Sequence, residues 1–130
     1  MQYRTIQDLS GLIRKNLWKI PHDIDLVVGV PRSGMLPANM IALYLNVRLT
    51  DIDSFVEGHV YSSGARGKGL NSVIRKVLVV DDSIYSGASL LEAKGKLRKV
   101  EDQYSFIYLT PIATSFGSKQ VDIYFEIIDD

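Results

Sequence analysis

The sequence predicts an α/β fold in which a central, mostly parallel five-stranded sheet is flanked by helices. Short apolar runs, such as those at 25–30 and 77–80, stop abruptly at polar loops, as strands buried on both faces do. These runs alternate with segments of helical periodicity. Alternation of this kind requires right-handed crossovers between parallel strands, which makes a sheet covered on both faces the most economical architecture.

Each element has its own signal in the sequence. Apolar residues recur at helical spacing over 5–18, ahead of Pro21, and LPANMIALYL (36–45) predicts a helix with Pro37 in its first turn and Asn46 just past its end. A third helix is predicted at 87–100. The expected strands are 25–30, a segment near 47–53, 75–82, 104–110 and 121–128.

Composition limits the classes of function. The chain has 130 residues, 46% of them hydrophobic, so we expect a single domain over 1–130, either complete or excised from a longer chain. Fifteen basic residues balance fifteen acidic ones, so there is no broad basic field for nucleic acid. The absence of cysteine excludes disulfides, thiolate zinc sites and cysteine nucleophiles. Without a signal peptide or membrane span, the expected location is cytoplasmic.

Two adjacent carboxylates follow the most apolar predicted strand, in VLVVDDSIYSGASL (77–90). Taken alone, Asp81 and Asp82 could be a solvated pair that caps the next helix. The small-residue turn after them, at the start of a helix, is instead typical of a phosphate-binding site. Carboxylates beside a phosphate would repel it unless a ribose or a magnesium ion lies between them. A phosphorylated ribose with Mg²⁺ satisfies both features.

The segment VLVVDDSIYSGAS resembles the thirteen-residue 5-phosphoribosyl 1-pyrophosphate (PRPP) signature of the type I phosphoribosyltransferases. The resemblance implies that Asp81 and Asp82 bind the ribose hydroxyls, directly or through Mg²⁺, and take a catalytic part. It implies a 5-phosphate site made of Ser83, Tyr85, Ser86, Gly87, Ala88 and Ser89.

A second segment, VVGVPRSGMLPA, resembles the pyrophosphate loop of the same family. Pro31, Arg32, Ser33 and Gly34 would then face the leaving group, with Arg32 counted among the catalytic residues. Residues 57–72, with four glycines and three serines, are expected to be a long mobile loop and fall where the family has its flexible catalytic loop.

Three charged or titratable side chains in this loop are weaker candidates. Arg66 and Lys68 are assigned to pyrophosphate, although charged residues in glycine-rich loops are usually solvated. His59 is a candidate proton donor, but a lone loop histidine is a weak signal.

The resemblance implies transfer of the phosphoribosyl group from PRPP to an acceptor, with release of pyrophosphate and without a protein nucleophile. Two acceptor classes stay open. Several purine-salvage members have an aspartate where this chain has Tyr85, which argues against purine salvage. The chain also leaves room for a minimal hood or none. A compact core of this kind also resembles proteins of bacterial polysaccharide loci that transfer phosphoribose to a sugar hydroxyl. The acceptor is therefore a glycan hydroxyl or a nucleobase.

Two other classes of protein compete with this interpretation. A signalling receiver domain needs an acidic pair after its first strand and a lysine after its last, whereas this chain has GVPRSG and LTPIAT there. A non-catalytic PRPP- or nucleotide-sensing module would keep the phosphate site, but the sequence has no helix-turn-helix signature and no basic face. The expected partners are PRPP and a small-molecule or glycan acceptor, with neither nucleic acid nor a membrane span, and a homodimer stays open.

Overall fold

The computed structural model describes residues 5–58, 74–84 and 87–128, and it has the predicted α/β architecture. The helices are α1 (Ile6–Asn16), α2 (Met35–Leu45), α3 (Ile52–Val56) and α4 (Ala88–Leu97). Short 3₁₀ turns cover Leu17–Lys19, Arg98–Val100 and Gly117–Gln120. The strands are β1 (Leu26–Gly29), β2 (Arg48–Asp51), β3 (Lys76–Val80), β4 (Ser83–Ile84), β5 (Ser105–Ala113) and β6 (Ile123–Ile127).

All described strands belong to one sheet, and every described pair is parallel. The sheet runs β2-β1-β3-β5, and β4 and β6 also pair with β5. Val80 lies opposite Leu109 and Ser83 opposite Ile112, so β3 and β4 continue along β5 in one register. The five predicted strands are confirmed, and β4 adds a sixth. Within the described residues, no separate hood of extra strands stands beside this sheet.

The order of the strands reverses between β1 and β3. From β1 the chain passes through α2 to β2 on one side, whereas from β3 it passes through α4 to β5 on the other. In open α/β sheets, ligands bind in the crevice that forms at the carboxyl ends of the strands at such a switch point. The topology therefore locates the candidate site between the ends of β1 and β3.

Alternate strand residues pack against opposite layers of helices. Val27 and Leu78 belong to the cluster that α1 and α2 cover, and Val28 and Val79 to the cluster that α3 and α4 cover. Because both faces are buried, β1 and β3 read as continuous apolar runs rather than as alternating patterns. A rigid, doubly covered sheet thus supports the crevice.

The structure differs from the predicted elements in a few places. Helix α3 was not predicted. Asp51 ends β2 and caps α3, because its Oδ2 accepts a 3.1 Å hydrogen bond from the Ser54 N–H. Strand β5 continues past Thr110 to Ala113. The end of α2, by contrast, agrees with the prediction, because Asn46 caps this helix in the left-handed conformation, with φ of 55°.

The described residues contain no helix that is long and apolar enough to cross a membrane. The predicted loop at 57–72 falls mostly on residues 59–73, which lie outside the described residues, as do His59, Arg66 and Lys68.

Candidate functional site

The two adjacent aspartates occupy an opening in the sheet between β3 and β4. The shared register places them opposite Thr110 and Pro111. The Asp81 N–H donates a 3.1 Å hydrogen bond to the Leu109 carbonyl, and the next bond of the ladder would come from the N–H of residue 111 to the Asp81 carbonyl. Proline has no N–H, so the ladder is interrupted at the aspartates.

Both carboxylates are buried, each with 6% exposure. Oδ1 of Asp81 accepts a 2.8 Å hydrogen bond from the Asp82 N–H, whereas its buried Oδ2 has no hydrogen-bond partner within the described residues. Burial raises the pKa of Asp81, although the Asp82 N–H and the Ser89 side chain act in the opposite direction. Burial and the charge of Asp81 also raise the pKa of Asp82. The pair is an acidic site that is costly to ionise without a ligand.

The predicted pyrophosphate loop, Pro31–Gly34, joins β1 to α2 and lies against the aspartates. The Val30 N–H donates a 2.9 Å hydrogen bond to the Val80 carbonyl, which ties the start of the loop to β3. A β-carbon on Gly34 would collide with the Val30 carbonyl oxygen and lie 3.1 Å from the Asp81 Cα. Arg32 and Ser33 are exposed, and the peptide bond between Pro31 and Arg32 is cis. The loop therefore borders the crevice.

Gly34→Ala is expected to lower the free energy of unfolding by about 1–3 kcal/mol, because the added methyl group has no space beside the Val30 and Val80 carbonyls. Gly95→Ala in α4 is the matched control. Its β-carbon meets no atom of the described residues within 4 Å, so alanine there should be neutral or stabilise by about 0.5–1 kcal/mol. Urea denaturation measures both, and equal stability of the two variants would contradict this close approach.

The predicted phosphate cradle lies at the beginning of α4. Gly87 caps this helix in the left-handed conformation, with φ of 87° and no side-chain cap. The first helical hydrogen bond runs from the Leu91 N–H to the Gly87 carbonyl at 2.9 Å, so the earlier N–H groups of the turn have no acceptor within the helix. Ala88 and Ser89 are exposed on this turn, while Tyr85 and Ser86 lie outside the described residues.

The structure thus brings the described parts of the predicted site to one edge of the sheet. The aspartates, the Pro31–Gly34 loop and the amino end of α4 surround the switch point between β1 and β3. Ser83 is half-buried in β4, beside the aspartates. A cavity of about 100 Å³ is lined by Pro31, Ser89 and the 3.0 Å ion pair of Asp53 with Lys96, whereas Asp81 and Asp82 do not line it.

Two residues of the segment between β5 and β6, which packs against β4 and the amino end of α4, were missed by sequence reasoning. Phe116 is 65% exposed in the segment after β5, and this segment lies against β4 because the Thr114 N–H donates a 3.0 Å hydrogen bond to the Ile84 carbonyl. Gln120 contacts Gly87 at the cradle. A local sequence pattern carries no signal for either contact, because both join residues about 30 positions apart.

Comparison with known proteins identifies the class. The family model described as phosphoribosyl transferase domain matches residues 2–126. The chain therefore belongs to this family, and the predicted resemblance to the type I phosphoribosyltransferases is confirmed. Family membership supports a transferase that acts with PRPP. No curated protein gives a significant match.

Solved structures show the same fold at low sequence identity. A xanthine-guanine-hypoxanthine phosphoribosyltransferase from Helicobacter pylori is 18% identical, with a TM-score of 0.69 over 99% of this chain and 86% of that one. An orotate phosphoribosyltransferase from Aeropyrum pernix is 23% identical, with a TM-score of 0.58 over 86% of this chain and 60% of that one.

A third similar structure belongs to a much longer chain. Leishmania donovani UMP synthase is 21% identical, with a TM-score of 0.61 over 88% of this chain, which spans only 23% of the synthase.

Proposed function

We propose that this domain binds PRPP at the switch point and transfers its 5-phosphoribosyl group to an acceptor, with release of pyrophosphate. The observation that carries the proposal is the pair of buried carboxylates, whose pKa values are raised, at the carboxyl end of β3. Hydroxyl groups of a ribose can donate to Oδ2 of Asp81, which has no hydrogen-bond partner within the described residues. A bound ribose would thus satisfy a buried acceptor.

The charged parts of PRPP have separate places around this ribose site. The 5-phosphate is assigned to the amino end of α4, where the helix dipole favours an anion, with Gly87, Ala88 and Ser89. Ser83, Tyr85 and Ser86 stay predictions for this group. Pyrophosphate is assigned to the Pro31–Gly34 loop, where Arg32 is exposed at the crevice. Arg66 and Lys68 remain additional candidates.

The donor set also fits Mg²⁺. Within the described residues, no group of three or more His, Asp or Glu side chains is placed to hold a metal. Mg²⁺ with a phosphorylated substrate needs only one or two carboxylates, which Asp81 and Asp82 would supply directly or through water, together with substrate oxygens. Bound there, Mg²⁺ would supply positive charge that offsets the negative charge of pyrophosphate.

The residues of the chain would act by position and charge. Asp81 and Asp82 would hold the ribose and offset positive charge that develops on its ring, while Arg32 would offset negative charge on the departing pyrophosphate. The acceptor would bond to C1 of the ribose as the bond from C1 to pyrophosphate breaks, and its proton would leave to solvent or to a nearby base. No covalent intermediate with the protein is required.

A nucleobase is the acceptor that one further observation favours. Phe116 presents an exposed aromatic ring beside β4, and stacking of a planar base on an aromatic side chain is worth about 1–3 kcal/mol. The names of the Helicobacter and Aeropyrum proteins also refer to nucleobases. A sugar hydroxyl of a bacterial glycan is the second candidate.

Pyrophosphate release tests the activity and the acceptor together. The protein is incubated with Mg²⁺ and PRPP against a panel of purine bases, orotate and glycan acceptors. Release that depends on one acceptor identifies its class. Tight PRPP binding without release for any acceptor would instead favour the alternative, a non-catalytic sensing module.

We also propose a homodimer that forms through the outer face of α2. This helix, MLPANMIALYL, has no charged residue, and its outer stripe of Leu36, Met40 and Leu43 is exposed or half-buried, with Leu43 74% exposed. Twofold contact places identical surfaces together, so a face without charges avoids like-charge repulsion. An apolar helix face of this kind is stabilised when a second copy covers it.

Leu43→Lys is expected to shift the protein from dimer to monomer, because it places two ammonium groups at the twofold contact. Sedimentation equilibrium measures the change. Leu91→Lys on α4 is the matched control, since Leu91 is 58% exposed and lies on the opposite layer of helices. A wild-type protein that stays monomeric at high concentration would contradict the proposed contact.

A further inference from the structure

The side chain of Gln120 lies against the glycine that begins the proposed phosphate cradle. A β-carbon added at Gly87 would be 2.8 Å from Cδ of Gln120 and 3.1 Å from its Oε1. Such distances place the carboxamide in direct contact with the left-handed turn that precedes α4. A residue from the connection between β5 and β6 thus lies at the amino end of α4.

The backbone of Gln120 is held in place. Its carbonyl accepts a 3.0 Å hydrogen bond from Nζ of Lys94, and the same ammonium group lies 4.7 Å from the centre of the Tyr108 ring. Gln120 ends the 3₁₀ turn that begins at Gly117, where a β-carbon would collide with Cγ2 of Ile84. The turn is therefore fixed against both α4 and β4.

Within the described part of the chain, the carboxamide of Gln120 has no polar partner. Its carboxamide makes no hydrogen bond within residues 5–58, 74–84 and 87–128, although the side chain is half-buried. A carboxamide has two N–H donors and can rotate to present either its nitrogen or its oxygen. Here it lies beside helix N–H groups that have no acceptor within the helix, a surrounding that favours an anion.

We infer that Gln120 is a binding residue for the 5-phosphate, to which its carboxamide donates an N–H. The inference rests on the proposed function and adds to it a residue outside the PRPP signature. The phosphate would then be held by the amino end of α4 and by Gln120 from the opposite side of Gly87. The contact depends on the backbone of the 117–120 turn, so it also links the β5–β6 connection to the substrate.

Gln120→Glu tests the inference, because the substitution keeps the shape of the side chain and places a negative charge beside the phosphate. Titration calorimetry measures the affinity of the protein for PRPP, for ribose 5-phosphate and for pyrophosphate, each in the presence of Mg²⁺. We expect affinity for the first two to fall by about tenfold or more, while affinity for pyrophosphate is unchanged, because charge-assisted contacts are the strong ones. Gln103→Glu, on an exposed turn, is the matched control and should leave all three affinities unchanged.

Each outcome decides a different question. If wild-type protein binds PRPP and the Gln120→Glu variant binds ribose 5-phosphate equally well, the inference is wrong while the proposed function stands. If the variant also loses affinity for pyrophosphate and melts at a lower temperature than the wild type, Gln120 has only a structural role. If wild-type protein binds neither PRPP nor ribose 5-phosphate, the proposed function itself fails, and the inference with it.

Gln120→Met is a second variant, which keeps the length of the side chain and removes the N–H donor. It should weaken the binding of ribose 5-phosphate less than Gln120→Glu does.

Discussion

Replacing Asp81 and Asp82 together by asparagine is expected to weaken PRPP binding by more than about tenfold and to reduce transfer by at least about a hundredfold. Each hydrogen bond to a charged carboxylate is worth about 1.5–3 kcal/mol, and the double variant loses the charge on both. Calorimetry measures the affinity, and pyrophosphate release measures the transfer. Unchanged affinity would show that the ribose binds elsewhere.

The same variant is expected to be more stable than the wild-type protein at pH 7 without ligand. Burial raises the pKa of both aspartates above the ordinary value for this side chain, so the folded state holds their protons to higher pH than the unfolded state does. The stability that these groups contribute is present below the unfolded pKa and is lost as the pH rises through the folded pKa. Asparagine cannot ionise and avoids that loss.

Thermal melting from pH 3 to pH 7 measures this effect as the difference between variant and wild type. The difference should grow as the pH rises. Asp23→Asn is the control of opposite sign, because a hydrogen bond with Lys76 lowers the pKa of this exposed carboxyl. The loss of this carboxylate in Asp23→Asn should leave the stability at pH 7 unchanged or slightly lower. A double variant that melts below the wild type at pH 7 would contradict the buried acidic pair.

Gly87→Val is expected to abolish binding of ribose 5-phosphate and to weaken PRPP binding by at least about a hundredfold. A β-branched residue is strained at φ of 87°, at a cost of about 1–2 kcal/mol, and its side chain would meet the Gln120 carboxamide. The turn must move, and the N–H groups that the phosphate needs move with it. Ser89→Ala removes one hydroxyl and should weaken binding by about tenfold or less.

Gly58→Val separates backbone strain from the loss of the cradle. Gly58 also has a left-handed conformation, with φ of 90°, but no atom of the described residues lies within 4 Å of its β-carbon position. This variant should lose stability and keep its affinity for ribose 5-phosphate. If both valine variants bind ribose 5-phosphate as the wild type does, the phosphate is not held at α4.

Local patterns were sufficient to predict the strands and motifs that form the centre of the site. The apolar runs that predict β1 and β3 end within one residue of the observed strand ends, because strands covered on both faces need continuous apolar sequence. The order of elements then places the carboxyl ends of both strands together, so the Pro31–Gly34 loop and the aspartates could be predicted as neighbours.

Contacts between distant segments could not be predicted in the same way. The predicted strand 104–110 stops before Pro111, yet β5 continues through this proline because the missing N–H falls where the ladder is open at Asp81. The contact of Gln120 with Gly87 depends on how the 117–120 turn packs on β4, which no local pattern encodes. Helix α3 has a cap signal in Asp51, but its five residues are too few for a periodic pattern.

Calorimetric titration of the wild-type protein with PRPP and Mg²⁺ tests the central claim most directly. The account predicts one binding site per chain, competition by ribose 5-phosphate, and binding weakened by more than about tenfold when Asp81 and Asp82 are replaced together by asparagine. Absence of PRPP binding in the presence of Mg²⁺, or binding that the double variant retains in full, would contradict it.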